Sequence, residues 1–237
     1  MRSLKGFAMA ICEENHRGYA AVIPDIKCIS PKEGDLLRGR DPVETAQYLK
    51  ACGAPVLSVV TEGEHFGGST KLLRDIVRAT NLPVLRKDFI LNKDTIAETV
   101  ELGGAAILLI CAIAEAKIIT QLFEHALKLG IEPFVEVCNN EEMELAKKLG
   151  AGLIGINNRN IATLEIDNGS PARTALLAPK APTDALIISE SGILSPRDAE
   201  LAVSAGANGI LVGTTLWQAG DMGVMYRSLR IERRCKP

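Results

Sequence analysis

The chain has 237 residues, of which 47% are hydrophobic, 24% charged and 4% aromatic, with a formal net charge of −2. Those proportions describe a globular protein with enough residues for a full core, near the customary length of one α/β barrel. Near-neutral charge and scarce aromatic residues give no electrostatic or stacking case for nucleic acid, and no apolar run approaches membrane-spanning length.

The opening segment, MRSLKGFAMAICEENHRG, starts basic but lacks the apolar stretch of a signal peptide. Within it Leu4, Phe7, Ala8, Ile11 and Cys12 share one helical face, which predicts an amphipathic helical extension over 1–19. Such a helix plugs the underside of a barrel, packs beside its entrance, or only covers apolar surface.

Short aliphatic runs then recur at 21–26, 56–60, 83–87, 105–110, 133–137, 153–156, 185–189 and 209–212. Helical patterns separate them, among them 41–54, 92–105, 115–131, 140–151 and 195–207, several closing on Gly as helix ends do. Eight such units predict an α/β fold, a single (β/α)8 TIM barrel domain spanning 1–237. A doubly wound open sheet would want a Gly-rich first turn, and the first turn here reads KCISPKEG. The terminal RIERRCKP reads as a solvated tail.

The cysteines, Cys12, Cys28, Cys52, Cys111, Cys138 and Cys235, form no C-x-x-C pair and have no His at ligand spacing. This argues against zinc and against a disulfide framework, and it points to a reducing, cytoplasmic setting.

Three charged residues stand where apolar strand ends are due: Lys27 in IPDIKCISP, Lys87 in VLRKDF and Glu136 in FVEV. Isolated charges are expensive in strands covered on both faces, so these are expected to be paired or functional. In one barrel all three converge at the carboxyl-terminal mouth, where two ammonium groups and a carboxylate suit acid–base work on an anion. The bland alternatives are a strand-end pairing of Lys87 with Asp88 and a structural ion pair between Glu136 and Lys87. Two late turns, SESGILSPRDAE after the seventh strand and VGTTLW after the eighth, offer the backbone N–H groups of Gly192, Gly213 and Thr214 to a phosphate.

The strings IKCISP, VVTEGEHFGGS, VLRKDFIL, FVEV, IGINNRNIATLEID, SESGI and LVGTTL, in this order from about 20 to 217, resemble the strand-end motifs of the indole-3-glycerol phosphate synthase family. The resemblance implies a cytoplasmic carboxy-lyase of tryptophan biosynthesis that needs no cofactor and no metal. It closes the ring of 1-(2-carboxyphenylamino)-1-deoxyribulose 5-phosphate to give indole-3-glycerol phosphate, carbon dioxide and water. It implies Lys87 as general acid, Glu136 as catalytic carboxylate, and Lys27 as the group that holds the anthranilate carboxylate and helps the dehydration. Asn157 and Arg159 match the sixth-strand polar pair, and Glu190 and Ser191 stand at the seventh strand. Asn157 and Glu190 join the catalytic set, while Ser30, Arg159, Ser191, Gly192, Gly213 and Thr214 bind substrate and phosphate. Phe66, Phe89, Leu109 and Leu164 form the apolar wall for the aromatic ring.

The implied partner is that small phosphorylated anthranilate-sugar; neither nucleic acid nor membrane is implied, and the chain is expected to be a monomer or weak homo-oligomer. Two features depart from the family pattern. Asp25, also placed in the catalytic set, stands where the family has Glu, with Cys28 and Ile29 replacing a basic and a small residue, and only about twenty residues precede the first strand. A slow enzyme is therefore expected. The alternatives are a phosphoribosylanthranilate isomerase-like barrel using Cys28 and Asp25 as an acid–base pair, and a barrel that binds without catalysis.

Overall fold

The structure, a computed structural model, describes residues 6–159 and 169–233. Eight strands form the barrel: β1 (Ala21–Ile26), β2 (Leu57–Val60), β3 (Val84–Lys87), β4 (Ala106–Ile110), β5 (Glu132–Val137), β6 (Leu153–Asn157), β7 (Leu186–Glu190) and β8 (Gly209–Val212). Each pairs in parallel with the next, and β8 returns to β1 to close the sheet. Every strand lies within one residue of its expected bounds.

A helix follows each strand: α2 (Pro42–Ala51), α3 (Thr70–Thr80), α4 (Lys93–Glu101), α5 (Ala116–Leu129), α6 (Asn140–Leu149), α7 (Ala172–Leu177) and α8 (Pro196–Ser204), then α9 (Thr214–Gln218) and α10 (Met222–Ser228) after β8. Their starts are written in the sequence, because Asp41, Ser69, Asn92, Asn139, Ser195 and Asp221 each accept a first-turn N–H. Gly130 and Gly150 end α5 and α6 in the left-handed conformation, with φ of 73° and 67°. Ile29–Ser30 and Gly34–Asp35 add a small antiparallel hairpin after β1 that was not expected.

Strand alternation sorts side chains into two layers. One set, with Ile23, Leu85, Leu108, Phe134, Ile188 and Leu211, fills the barrel, while their neighbours Val22, Val84, Ile107, Leu109, Val135 and Ile210 pack outward against helices. The interior is thus a packed core, and only its upper end is left for chemistry.

The lower end is closed by α1 (Phe7–His16). Phe7 and Ile11 are fully buried in the barrel cluster, and the Phe7 ring meets Phe134 edge-on at 6.5 Å between centroids. Ala8 and Cys12 are partly buried, and Leu4 lies outside the described residues. Since α1 has no side-chain cap of its own, Glu132 at the foot of β5 accepts the Ala8 N–H at 2.8 Å. The chain's end holds this plug in place, which corrects the expectation of a solvated tail for Arg230–Arg233. Arg230 donates to the buried Glu14 at 2.6 Å and stacks on Tyr19, and the Arg233 N–H donates to Gly18 O at 2.7 Å. A buried carboxylate demands a cation, and Arg230 supplies it. Residues 234–237 lie outside the description.

Truncating the plug at Phe7→Ala is expected to cost about 3–5 kcal/mol of stability through the cavity left beneath Phe134. Urea denaturation measures it; a loss below ~1 kcal/mol would show that α1 only covers surface.

Candidate active site

The alternation that fills the barrel with Ile23, Leu85, Leu108, Phe134 and Ile188 brings Asp25, Lys87, Ile110, Glu136 and Glu190 to the next inward position. Here the core stops being apolar. Asp25, Glu136, Asn157 and Glu190 are buried, and Lys27, just beyond β1, is 3% exposed. Asp25, Lys27 and Asn157 line a cleft of about 600 Å³ whose walls also include Val60, Glu62, Phe66, Lys87, Asp88, Phe89, Leu108, Ile110, Arg159 and Ser191, and Glu136 and Glu190 meet it through Lys87. A second lobe of about 410 Å³ adjoins it, sharing Asp25, Lys27, Lys87, Arg159 and Ser191 and adding Gly192, Gly213, Thr214 and Thr215.

Lys87 Nζ stands 3.8 Å from Glu136 Oε2 and 3.5 Å from Glu190 Oε2. Asn157 donates to Glu136 Oε1 at 2.9 Å, but Glu136 Oε2 and both Glu190 oxygens have no hydrogen bond among the described residues. One ammonium group faces two buried carboxyls. Burial, reinforced by the charge of Glu136, pushes the Glu190 carboxyl up to about 8, against the pull of Lys87. Near neutrality this favours the protonated form of Glu190. Room for Glu190 comes from Gly155 in β6, where a Cβ would collide with Glu190 Oε1 and the Phe134 ring.

Asp25 is tied down on two sides. Ser58 of β2, its register partner, donates its hydroxyl to Asp25 Oδ1 at 2.6 Å, and the Trp217 indole donates to the Asp25 carbonyl at 2.9 Å. Lys27 Nζ lies 5.6 Å from the centre of the Phe66 ring, on the same wall.

The second lobe is built on strained turns. Ser191 has φ of 65° and Gly192 of 68°, and a Cβ on Gly192 would come within 2.9 Å of the Gly169 and Ser170 backbone. Asn158 holds these turns: it donates to Ser189 Oγ, Glu190 O and Ser191 O and accepts from the Thr174 N–H and hydroxyl. Arg173 adds bonds of 2.6 Å to Asn157 O and Arg159 O.

Most residues expected at the site line one lobe or the other; Glu136 and Glu190 stand behind Lys87, and three more expected residues lie elsewhere. Leu109 points away from the cleft into the layer beneath α4 and α5, and Leu108 and Ile110 form the wall instead. An all-apolar strand, AILLI, does not display which face is inward. Ser30 is buried in the hairpin, where its hydroxyl accepts the Glu33 N–H at 3.4 Å, and it lines neither lobe. Leu164 lies outside the described residues. Lys87 turns to Glu136 and Glu190, while Asp88, its expected bland partner, is taken by Thr61 and Arg86. Cys28 lines neither lobe, and burial together with Asp35 raises its thiol, so the geometry gives no Cys28–Asp25 acid–base pair. Ser58, Gly155 and Asn158 were not singled out from sequence; the period-2 step inward from Asp25 and Glu136 to their register partners would have reached Ser58 and Gly155.

The raised Glu190 carboxyl has a consequence for stability. Between the ordinary carboxyl range near ~4.3 and its folded value, the folded chain binds a proton that the unfolded chain does not, so stability falls as pH rises through that window. Glu190→Gln should remove this loss, its advantage over the parent growing from about pH 5 to about pH 8 and then levelling. Denaturant midpoints across pH measure it; a gap constant with pH would show an ionised Glu190.

The family profile described as indole-3-glycerol phosphate synthase matches residues 1–229. Proteins named indole-3-glycerol phosphate synthase are similar throughout. The Pyrococcus abyssi protein is 39% identical over 214 residues, 90% of this chain and 93% of its own length. The Pyrococcus furiosus protein is 42% identical over 198 residues, covering 84% and 86% of the two chains, and that of Streptococcus sanguinis is 37% identical over 220 residues, covering 93% and 85%. With a closed parallel barrel, a cationic and carboxylate cluster at its upper mouth and a match spanning nearly every residue, the chain belongs to the indole-3-glycerol phosphate synthase family.

Proposed function

We propose that this barrel is an indole-3-glycerol phosphate synthase, converting 1-(2-carboxyphenylamino)-1-deoxyribulose 5-phosphate into indole-3-glycerol phosphate with loss of carbon dioxide and water. The observation that carries the reading is Lys87 Nζ between Glu136 and Glu190 at the mouth of a cleft with one apolar wall and one Gly-rich lobe.

The main lobe sets the cations Lys27, Lys87 and Arg159 against the carboxylates Asp25, Glu62 and Asp88, whereas the second lobe sets the same three cations against Asp25, a balance that favours an anionic group there. The aromatic ring lies against Phe66, Phe89, Leu108 and Ile110, and Lys27 beside Phe66 takes the anthranilate carboxylate. The phosphate enters the second lobe, toward the backbone of Gly192, Gly213 and Thr214, with Ser191 and Arg159 at its edge.

Lys87 gives its proton to the ketone oxygen as the carboxyl-bearing ring carbon attacks the ketone carbon, and the carboxylate then leaves as carbon dioxide. Glu136, oriented by Asn157, stabilises the iminium cation and takes the proton lost on aromatisation. Lys27 protonates the departing hydroxyl. Glu190 is placed to return a proton to Lys87. Asp25, held by Ser58, steadies the Lys27 side of the cleft. The residues work in a single domain in a reducing cytoplasm, in keeping with five unpaired cysteines among the described residues, none of whose helices is long and apolar enough to cross a membrane.

Incubating the purified protein with this substrate and following indole fluorescence tests the reading; no product at high enzyme concentration would remove it. Lys87→Met should lower kcat by at least ~10²-fold, the usual scale for a lost general acid. A near-parental kcat would withdraw that role. For the phosphate, Thr214→Asp adds a carboxylate at the first residue of α9, where it suits the helix but repels the ligand. We expect KM to rise by more than ~10-fold with kcat nearly unchanged, because uniform binding is lost. An unchanged KM would move the phosphate elsewhere. Gly213 is a poorer probe, since a Cβ there would press on Asp25 at 3.3 Å.

A further inference from the structure

We infer that Arg86 is a positioning residue for this reaction: with Thr61, it holds the Asp88 carboxylate away from Lys87, leaving the Lys87 ammonium to Glu136 and Glu190. The inference rests on the function proposed above.

Arg86 and Lys87 are consecutive in β3 and therefore point to opposite faces, Lys87 into the cleft and Arg86 outward beneath α4. An arginine in that layer is anomalous. Its neighbours in register are apolar, and it is only 5% exposed. It is also fully engaged: Nε donates to Thr61 Oγ1 at 3.0 Å, Nη1 to Glu98 Oε2 at 2.7 Å and to Thr99 Oγ1 at 3.2 Å, and Nη2 to Asp88 Oδ2 at 3.1 Å.

Asp88 lines the same cleft as Lys87 and is its nearest carboxylate in sequence. Both its oxygens are occupied by other donors. Oδ2 accepts from Arg86 and from Thr61 at 2.6 Å, and Oδ1 accepts the Phe89 N–H at 2.9 Å. Thr61 is fixed in turn, its N–H donating to the Lys87 carbonyl at 3.0 Å. The buried guanidinium thus fastens the ends of β2 and β3 and neutralises an acidic group that would otherwise compete for the general acid. A planar donor with a fixed fork can hold Glu98, Thr61 and Asp88 together, which a lysine cannot.

If Arg86 is replaced by Met, Asp88 loses its cation while remaining in the lining of the cleft, and the residue next to it in sequence, Lys87, is a cation of the same lining. The expected result for Arg86→Met is a fall in kcat on the order of tenfold, with KM within about threefold of the parent. Because the damage comes from a released carboxylate, Asp88→Asn in the Arg86→Met background should recover most of kcat. A purely structural Arg86 predicts the contrary, since removing a second member of the network would lower activity and stability further. Steady-state kinetics and urea midpoints on the parent, both single variants and the double variant decide this.

Parental activity with an unaffected Arg86→Met, or a double variant no better than Arg86→Met, would overturn the inference. An inactive parent would instead overturn the proposed function. Should Arg86→Met fail to fold, Thr61→Val removes a donor from the same Asp88 oxygen, and the same pattern of loss and rescue by Asp88→Asn is required; a Thr61→Val loss that Asp88→Asn deepens would overturn the inference.

Discussion

Placing one ammonium group against two buried carboxyls is the constraint on which the site depends. A carboxylate taken out of water costs several kcal/mol unless a partner replaces its hydration, and Lys87, with its side chain 20% exposed, is one cation at 3.5–3.8 Å from two acids. Glu136 adds the Asn157 amide to that attraction; Glu190 has no such bond among the described residues. The less solvated acid keeps its proton. Such an arrangement is poor for stability and useful for proton transfer, because donor and acceptor states are separated by environment and not by residue type.

Much of the surrounding structure serves that cluster. Gly155 gives up its side chain so that Glu190 and Phe134 can occupy the same layer. Asn158 binds the end of β7 through three carbonyl or hydroxyl acceptors, so that Ser191 and Gly192 can adopt left-handed backbone beside the acids. Below, Phe7 and Ile11 of α1 complete the apolar column on which the charged layer stands. Rigid support from beneath and behind lets a loop-lined mouth hold side chains at fixed separations.

The barrel was legible because parallel strands buried on both faces appear as short apolar runs, and the helices between them carry explicit caps such as Asp41, Asn92 and Ser195. The charged residues Lys27, Lys87 and Glu136 stood out against those runs. The same continuity hid the rest. In β4 nothing distinguishes Leu108 from Leu109, so the wall was assigned one residue too far along, and only closure of the sheet sets the inward face. Small polar residues such as Ser58 and Asn158 reveal their role only once a partner stands opposite, 33 and 31 residues away for their bonds to Asp25 and Ser189. The clasp of Arg230 on Glu14 joins the two ends of the chain, a separation of 216 residues that no local pattern encodes. As for Asp25, read from sequence as a shortened and weakened acid, Ser58 and Trp217 hold it in a settled environment.

The account turns on where the proton resides in the Lys87 cluster, and infrared difference spectroscopy reads it directly. Protein labelled with ¹³C at the glutamate carboxyls, subtracted from its Glu190→Gln counterpart, isolates the Glu190 band near neutrality. The account predicts a protonated carbonyl stretch that gives way to a carboxylate band as pH rises through about 8. A carboxylate band already present at pH values near the ordinary carboxyl range, about 5, would contradict it.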